Sequence, residues 1–274
     1  MYKSSAAALA VLFIPFLGSA QNPDHRQDSS LDNETSRGVA TRALPPTSPR
    51  EAPRTVPGDT VSVHELSIPG KARKAFDKGV RLRMKNDAAG SIAEFQRAVE
   101  AYPSYYEAYY QIGNAQLDLE HGGEAAAAFS SAIRVSDGQF AKGYFALALV
   151  LCKEGNFSEA DTLAKTGLSL EPSATLGELA LGWAELGLGR LSIAEKALRE
   201  ALAQKADVRE ARLLLLETHR RESKLPELVE DVDAYLKLDA SSAMSGQLRK
   251  LRDEAQARMG KTDDKGAIVA RTQP

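Results

Sequence analysis

The chain has 274 residues, 43% of them hydrophobic and 26% charged, which is enough apolar material for a sizeable core and excludes a wholly disordered polyampholyte. A formal charge of -2 is too small to mark nucleic acid or an anionic membrane as a partner. A single cysteine, Cys152, excludes an internal disulfide and sits within a helical apolar pattern, where it reads as a small core residue.

In chain order, Lys3 precedes an apolar run from Ala6 to Leu17, and Gly18-Ser19-Ala20 ends it with small residues. This pattern is expected to be a secretory signal peptide over residues 1–20, cleaved after Ala20, so that the product is exported, periplasmic or secreted. Twelve apolar residues at ~1.5 Å rise make about 18 Å of helix, short of the ~30 Å a bilayer core requires, and no stable membrane insertion is expected after cleavage. Residues 21–60 hold six of the twelve prolines and almost no large apolar side chain, so a disordered, extended segment is expected there. Residues 61–71 form a short lead-in, with Val61, Val63, Leu66 and Ile68 expected to lie against the first folded unit or to add to a partner's sheet edge.

From Ala72 the chain repeats. The run from Ala141 to Ala174 reads as two helices: Tyr144, Leu147, Ala148 and Leu151 recur at helical spacing, Gly155-Asn156 breaks the pattern, and Phe157, Ala160, Leu163, Ala164 and Leu168 resume it. Neither helix can bury its stripe alone, which predicts copies on each side. They are found at steps of 34 or 35 residues. Ser91, Ala125, Ala160, Ala194 and Leu228 form one column, and Phe95, Phe129, Ala164, Leu198 and Val232 a second. Ala98, Ala132, Gly167, Ala201 and Tyr235 form a third; Gly79, Gly113, Ala148, Gly182 and Leu216 lie in the first helices. Small residues at these places let helix backbones approach, and the bulky column fills the space beside them.

These columns resemble the tetratricopeptide repeat, a 34-residue helix-turn-helix unit with small residues near positions 8, 20 and 27 and an aromatic near 24. The resemblance implies an all-α, right-handed α-solenoid of five repeats, at residues 72–105, 106–140, 141–174, 175–208 and 209–242. Departures are specific: Asp137 and Ala206 stand where proline is expected, one extra residue lengthens the second copy, and Leu216, Leu228 and Tyr235 predict looser packing in the fifth. Residues 243–259, with Leu248, Leu251 and Ala255 on one face, are expected to form a capping helix, and 260–274 a frayed tail.

No catalytic constellation is found. His64-Glu65 lacks the second histidine of a zinc-protease helix, the histidines are scattered, Gly70-Lys71 fails the phosphate-loop pattern, and no nucleophile elbow occurs. Neither metal nor cofactor is expected, and the many acidic residues read as solvated helix faces. The crowd of Tyr102, Tyr105, Tyr106, Tyr109 and Tyr110 reads as a staple between the first two repeats.

In the resembled family the first helix of each repeat lines a concave groove. Carried over residue by residue, this places Phe76, Tyr110, Phe145 and Leu179 at fifth positions and Asn114, Leu149 and Trp183 at ninth positions of a protein-binding groove. The expected function is an exported scaffold that takes a protein or peptide partner, with no nucleic acid. A structural part of an envelope or secretion assembly, held by its convex face or ends, is the alternative, and an enzyme of unrecognised type the more distant one. Only Asn114 matches the carboxylate clamp of the chaperone-binding subclass, which argues against that role.

Overall fold

The computed structural model describes His64 and residues 67–271, with side chains described as far as Gly260. The signal segment, the proline-rich segment, Val61, Val63 and Leu66 lie outside the described residues. Among the described residues there are eleven helices and no strand. They are α1 (Gly70–Met84), α2 (Ala88–Ala101), α3 (Tyr106–Asp118), α4 (Gly122–Val135), α5 (Ala141–Glu154) and α6 (Phe157–Leu170). The chain continues with α7 (Thr175–Gly187), α8 (Leu191–Gln204), α9 (Arg209–Glu222), α10 (Leu225–Leu238) and α11 (Ser245–Arg271).

Each hairpin closes by the same backbone device. Asn86, Glu120, Gly155, Gly189 and Ser223 all have positive φ, between 58° and 84°, one residue or two past the end of the hairpin's first helix. The next amide then reaches back to a carbonyl five residues earlier: Asp87 to Leu82, His121 to Gln116, Asn156 to Leu151, Arg190 to Glu185 and Lys224 to His219, at 2.9–3.0 Å. That bond satisfies one of the orphan carbonyls at a helix end and turns the chain into the second helix. The extra residue of the second repeat is absorbed after α4, where Asp137 and Gly138 take consecutive positive φ values of 51° and 76°.

Within a hairpin the two helices approach where the sequence supplies a small residue opposite a bulky one. A Cβ on Gly79 would lie 2.6 Å from the Phe95 ring, one on Gly113 2.5 Å from Phe129, and one on Gly182 2.6 Å from Leu198. Only glycine leaves room for the neighbour, and all three bulky partners are fully buried. At these two positions the third hairpin has Ala148 and Ala164 and the fifth has Leu216 and Val232, each pair fully buried in one cluster, so the pair rather than either member fills the space.

Consecutive helices pack in series from α1 to α11, and first helices of neighbouring repeats also touch directly, α1 with α3, α5 with α7 and α7 with α9. The first-helix layer is therefore the tighter one at these junctions. Buried apolar residues form successive clusters rather than one centre, as expected of a quasi-one-dimensional array. Leu216, Leu228 and Tyr235 join Met244, Leu248 and Ala255 in the last of them, so α11 covers the end of the stack. Its helix continues to Arg271, past Gly260, where the sequence predicts a frayed tail; one glycine costs a helix only about 1 kcal/mol, and no proline follows before Pro274.

Candidate functional site

The tighter layer carries the residues expected to line the groove, and their burial divides them. Phe76, Tyr110, Asn114, Leu149 and Trp183 are all partly exposed. Phe145 and Leu179 are not: they are 1% and 7% exposed. Phe145 is wedged between helices, so that a Cβ on Gly167 or Gly177 would stand 2.4 or 2.6 Å from its ring. Leu179 belongs to the cluster of Leu198, Ala211 and Leu215. These two are packing residues and present no surface to a ligand, which corrects their assignment to the groove. The void that draws Phe145 inward is visible in the sequence as two glycines, one on each flanking helix.

The remaining line is apolar with a few polar groups. Tyr110 packs against Phe129 and Phe140 at 5.5 and 5.4 Å between centroids, which fixes its ring. Trp183 lies across two adjoining clusters together with Leu149. Among the described residues, neither the Asn114 amide nor the Trp183 indole N–H has a hydrogen-bond partner. At the ends the cations are engaged: Arg83 with Asp118 at 2.7 Å, Arg220 and Arg221 with Glu217 at 2.7 and 2.8 Å. The Glu217 carboxyl is held below its ordinary value by those two guanidiniums, against the opposing pull of its own burial.

The lead-in segment packs on the first repeats where it is described. Ile68 is buried with Ala72, Ala98 and Tyr105, and His64 stacks on Tyr106 at 4.3 Å and bonds Glu107 at 3.1 Å. The tyrosines staple more than one junction: Tyr105 stacks on Phe76 at 5.0 Å, whereas Tyr106 and Tyr110 reach forward to Phe140.

Two ionic clusters lie between repeats in the C-terminal half, where helical spacing alone suggests only solvated acids. Glu185 on α7 is fully buried and meets Lys165 at 3.0 Å and Arg190 at 3.2 Å, with Asp161 on α6 2.7 Å from Lys165. At the next junction Glu195 on α8 meets Lys224 at 2.6 Å and Arg199 at 2.9 Å, with the fully buried His219 on α9 at 3.4 Å. Asp231 on α10 lies 2.6 Å from His219. Hydrogen bonding from Lys224 is the largest influence holding the Glu195 carboxyl down at about 2. The signal is present in the sequence: Asp161 and Glu195, Lys165 and Arg199, Glu185 and His219, and Arg190 and Lys224 each stand one 34-residue step apart. Cys152 is buried beside Ala180, and burial pushes its thiol up to about 12, which makes it a core residue and a poor nucleophile.

A stack of helix hairpins with a lined inner layer defines the class, and comparison with known proteins agrees. Residues 76–140 and 179–243 match the tetratricopeptide-repeat family. No curated protein matches the chain by sequence. Among solved structures, TTC0263, a thermophilic tetratricopeptide-repeat protein of Thermus thermophilus, superposes with a TM-score of 0.54 at 21% identity, over 68% of this chain and 99% of that one. PilW, described as a widely conserved type IV pilus biogenesis factor, gives 0.58 at 16% identity, over 70% and 93%. YrrB, described as a tetratricopeptide-repeat protein with an unusual peptide-binding site, gives 0.50 at 20% identity, over 65% and 92%.

Residues 76–140 and 179–243 are thus tetratricopeptide repeats, whose all-α stacks are scaffolds for protein–protein interaction and typically not enzymes. No helix among the described residues is long and apolar enough to cross a membrane.

Proposed function

We propose that this chain is an exported, non-enzymatic scaffold that binds an extended peptide or a helix of a partner protein along its first-helix groove. The observation that carries this reading is the partly exposed line of Phe76, Tyr110, Leu149 and Trp183, with the Asn114 amide and the Trp183 indole N–H left for a ligand. Rigid aromatics give contact area at low entropic cost, and an amide offers a peptide backbone both a donor and an acceptor. A peptide-binding site on a similar scaffold, as YrrB is described, supports the same use of the fold. Export rests on the N-terminal sequence: recovery of the chain outside the cytoplasm with Gln21 as its first residue supports it, and an intact Met1 terminus there overturns cleavage.

A second reading is favoured by Leu170, Ile193 and Leu238, which stand 38%, 47% and 43% exposed on the second helices α6, α8 and α10. These would serve docking by the convex face in an assembly. Photo-crosslinking groups placed at Leu149 and at Ile193 separate the two readings. Groove binding predicts that partners crosslink from Leu149 alone, and that the double variant Tyr110→Ala, Trp183→Ala loses them while its helix content is unchanged. Crosslinking from Ile193 alone overturns the groove and supports the convex face.

A further inference from the structure

We propose that the junction of α8, α9 and α10 binds one divalent first-row transition-metal ion, through Nε2 of His219 and the carboxylates of Glu195 and Glu222. One ligand atom from each of the three residues lies within 4.8 Å of the others. What distinguishes this group from an ordinary acidic surface is the imidazole. His219 is 0% exposed, its Nδ1 is 2.6 Å from Asp231 Oδ2, and its Nε2 makes no hydrogen bond. With a proton on Nδ1 toward Asp231, Nε2 is the ring nitrogen left to take a cation, and it faces Glu195 Oε1 at 3.4 Å. A lone pair facing an anion in a buried place is stabilised by a cation between them.

The remaining parts suit that role. A carboxylate behind a ligating histidine is the usual outer partner of a metal-bound imidazole, orienting the ring and raising its basicity. Glu195 and Glu222 have side chains 18% and 15% exposed, so ligands sit at the edge of the core with a path to water. One imidazole and two carboxylates suit Zn2+ or its neighbours at ligand distances of about 2.0–2.2 Å. The two glutamates must rotate inward to reach them.

Lys224 occupies the mouth. Its ammonium is 2.6 Å from Glu195 Oε2 and 2.9 Å from Glu222 Oε2, and its side chain is 37% exposed. It bridges the two carboxylates, of which Glu195 also meets Arg199 at 2.9 Å, and it must swing into solvent when a metal enters. Lysine at this place is therefore a competitor of the metal. The preceding junction has Glu185 in the column of His219, so the same constellation does not recur there.

The test is titration of the full chain with Zn2+ by calorimetry and with Co2+ by visible d–d absorption at neutral pH. The expected result is one saturable site. It is lost in His219→Gln, weakened about 10- to 100-fold in Asp231→Asn, and tightened in Lys224→Gln, where the competing charge is gone. Glu222→Gln, at the partly exposed edge, abolishes the Co2+ band even if His219→Gln fails to fold. Backgrounds of His25→Gln, His64→Gln and His121→Gln keep the site. Absence of saturation up to about 1 mM Zn2+, a Co2+ band that survives Glu222→Gln, or weaker binding in Lys224→Gln overturns the proposal and leaves an ionic contact that serves packing only.

Discussion

The two halves of the stack are built on the same hairpin yet are joined by different chemistry. In the first two repeats and at their junctions the contacts are rings: Phe76 on Tyr105, Tyr106 and Tyr110 on Phe140, and, within the second hairpin, Tyr110 on Phe129. The ion pair of Arg83 with Asp118 lies at the rim, and the buried Glu94, which meets Lys78 and Arg97, serves the first hairpin internally. Between the last three repeats the same spaces hold Asp161, Lys165, Glu185 and Arg190, then Glu195, Arg199, His219 and Lys224. Ring contacts are indifferent to pH and nearly so to salt, whereas buried ion pairs are strong only while every partner keeps its charge. In an array whose stability is a sum of local terms, this difference assigns separate sensitivities to the two ends.

Removing one ring should give the largest effect. Phe129 fills the space that Gly113 leaves and is wholly buried, so Phe129→Ala is expected to cost about 3–5 kcal/mol. Urea unfolding monitored by far-ultraviolet circular dichroism reads it, and the loss should be the same at low and high salt. A loss under about 1 kcal/mol would mean that the second hairpin collapses around the missing ring. The matching change in the other half is Glu185→Ala. Breaking a fully buried ion pair can cost about 3–5 kcal/mol, but Lys165 and Arg190 are half exposed and regain water. The expected cost is therefore about 1–2 kcal/mol, smaller at high salt, and salt independence would erase the distinction between the halves.

The repeat itself can be read from sequence because close helix crossing tolerates few side chains. Gly79, Gly113 and Gly182 announce such crossings, and Phe95, Phe129 and Leu198 are what fills them. The groove is harder to read. A fifth-position residue faces outward only if nothing draws it in, and Phe145 is drawn in by the space at Gly167 and Gly177. Phe76 and Tyr110 hold the same position and remain partly exposed. The ionic clusters escape a sequence reading for another reason: on any one helix their charges look like a solvated face, and each column makes sense only across two repeats. Compared at the repeat step, Asp161 with Glu195 and Lys165 with Arg199 carry opposite charges four residues apart at both junctions.

Acid should separate the halves without any mutation. Glu195 is held at about 2, well below the ordinary carboxylate value, by Lys224 first and Arg199 after it. A depressed folded-state value means that its stabilisation is complete above the ordinary value of 4.5 and is lost as pH falls from there toward 2. Glu217 is shifted in the same direction, while burial raises Glu178 and Asp231 and makes their contributions opposite in sign. The large shift is that of Glu195, so amide protection in α8–α10 is expected to fall before that in α3–α5 between pH 5 and pH 3. Hydrogen exchange corrected for intrinsic rates measures this, and simultaneous loss along the stack would sink the division.

The smallest expected effect tests what the halves share. Glu120 and Ser223 hold the same turn position with φ of 64° and 58°, where Gly155 and Gly189 stand in the hairpins between them. A left-handed conformation costs a residue with a Cβ roughly 1–2 kcal/mol, and glycine returns part of that gain through its greater freedom when unfolded. Glu120→Gly and Ser223→Gly should each stabilise the chain by about 0.5–1 kcal/mol, read as equal rises in urea midpoint. Equality is the informative outcome, because the turn stands in a hairpin with aromatic contacts in one case and beside an ionic junction in the other. Should Ser223→Gly instead destabilise, the turn is coupled to Lys224 beside it, and the ionic junction reaches into the hairpin that carries it.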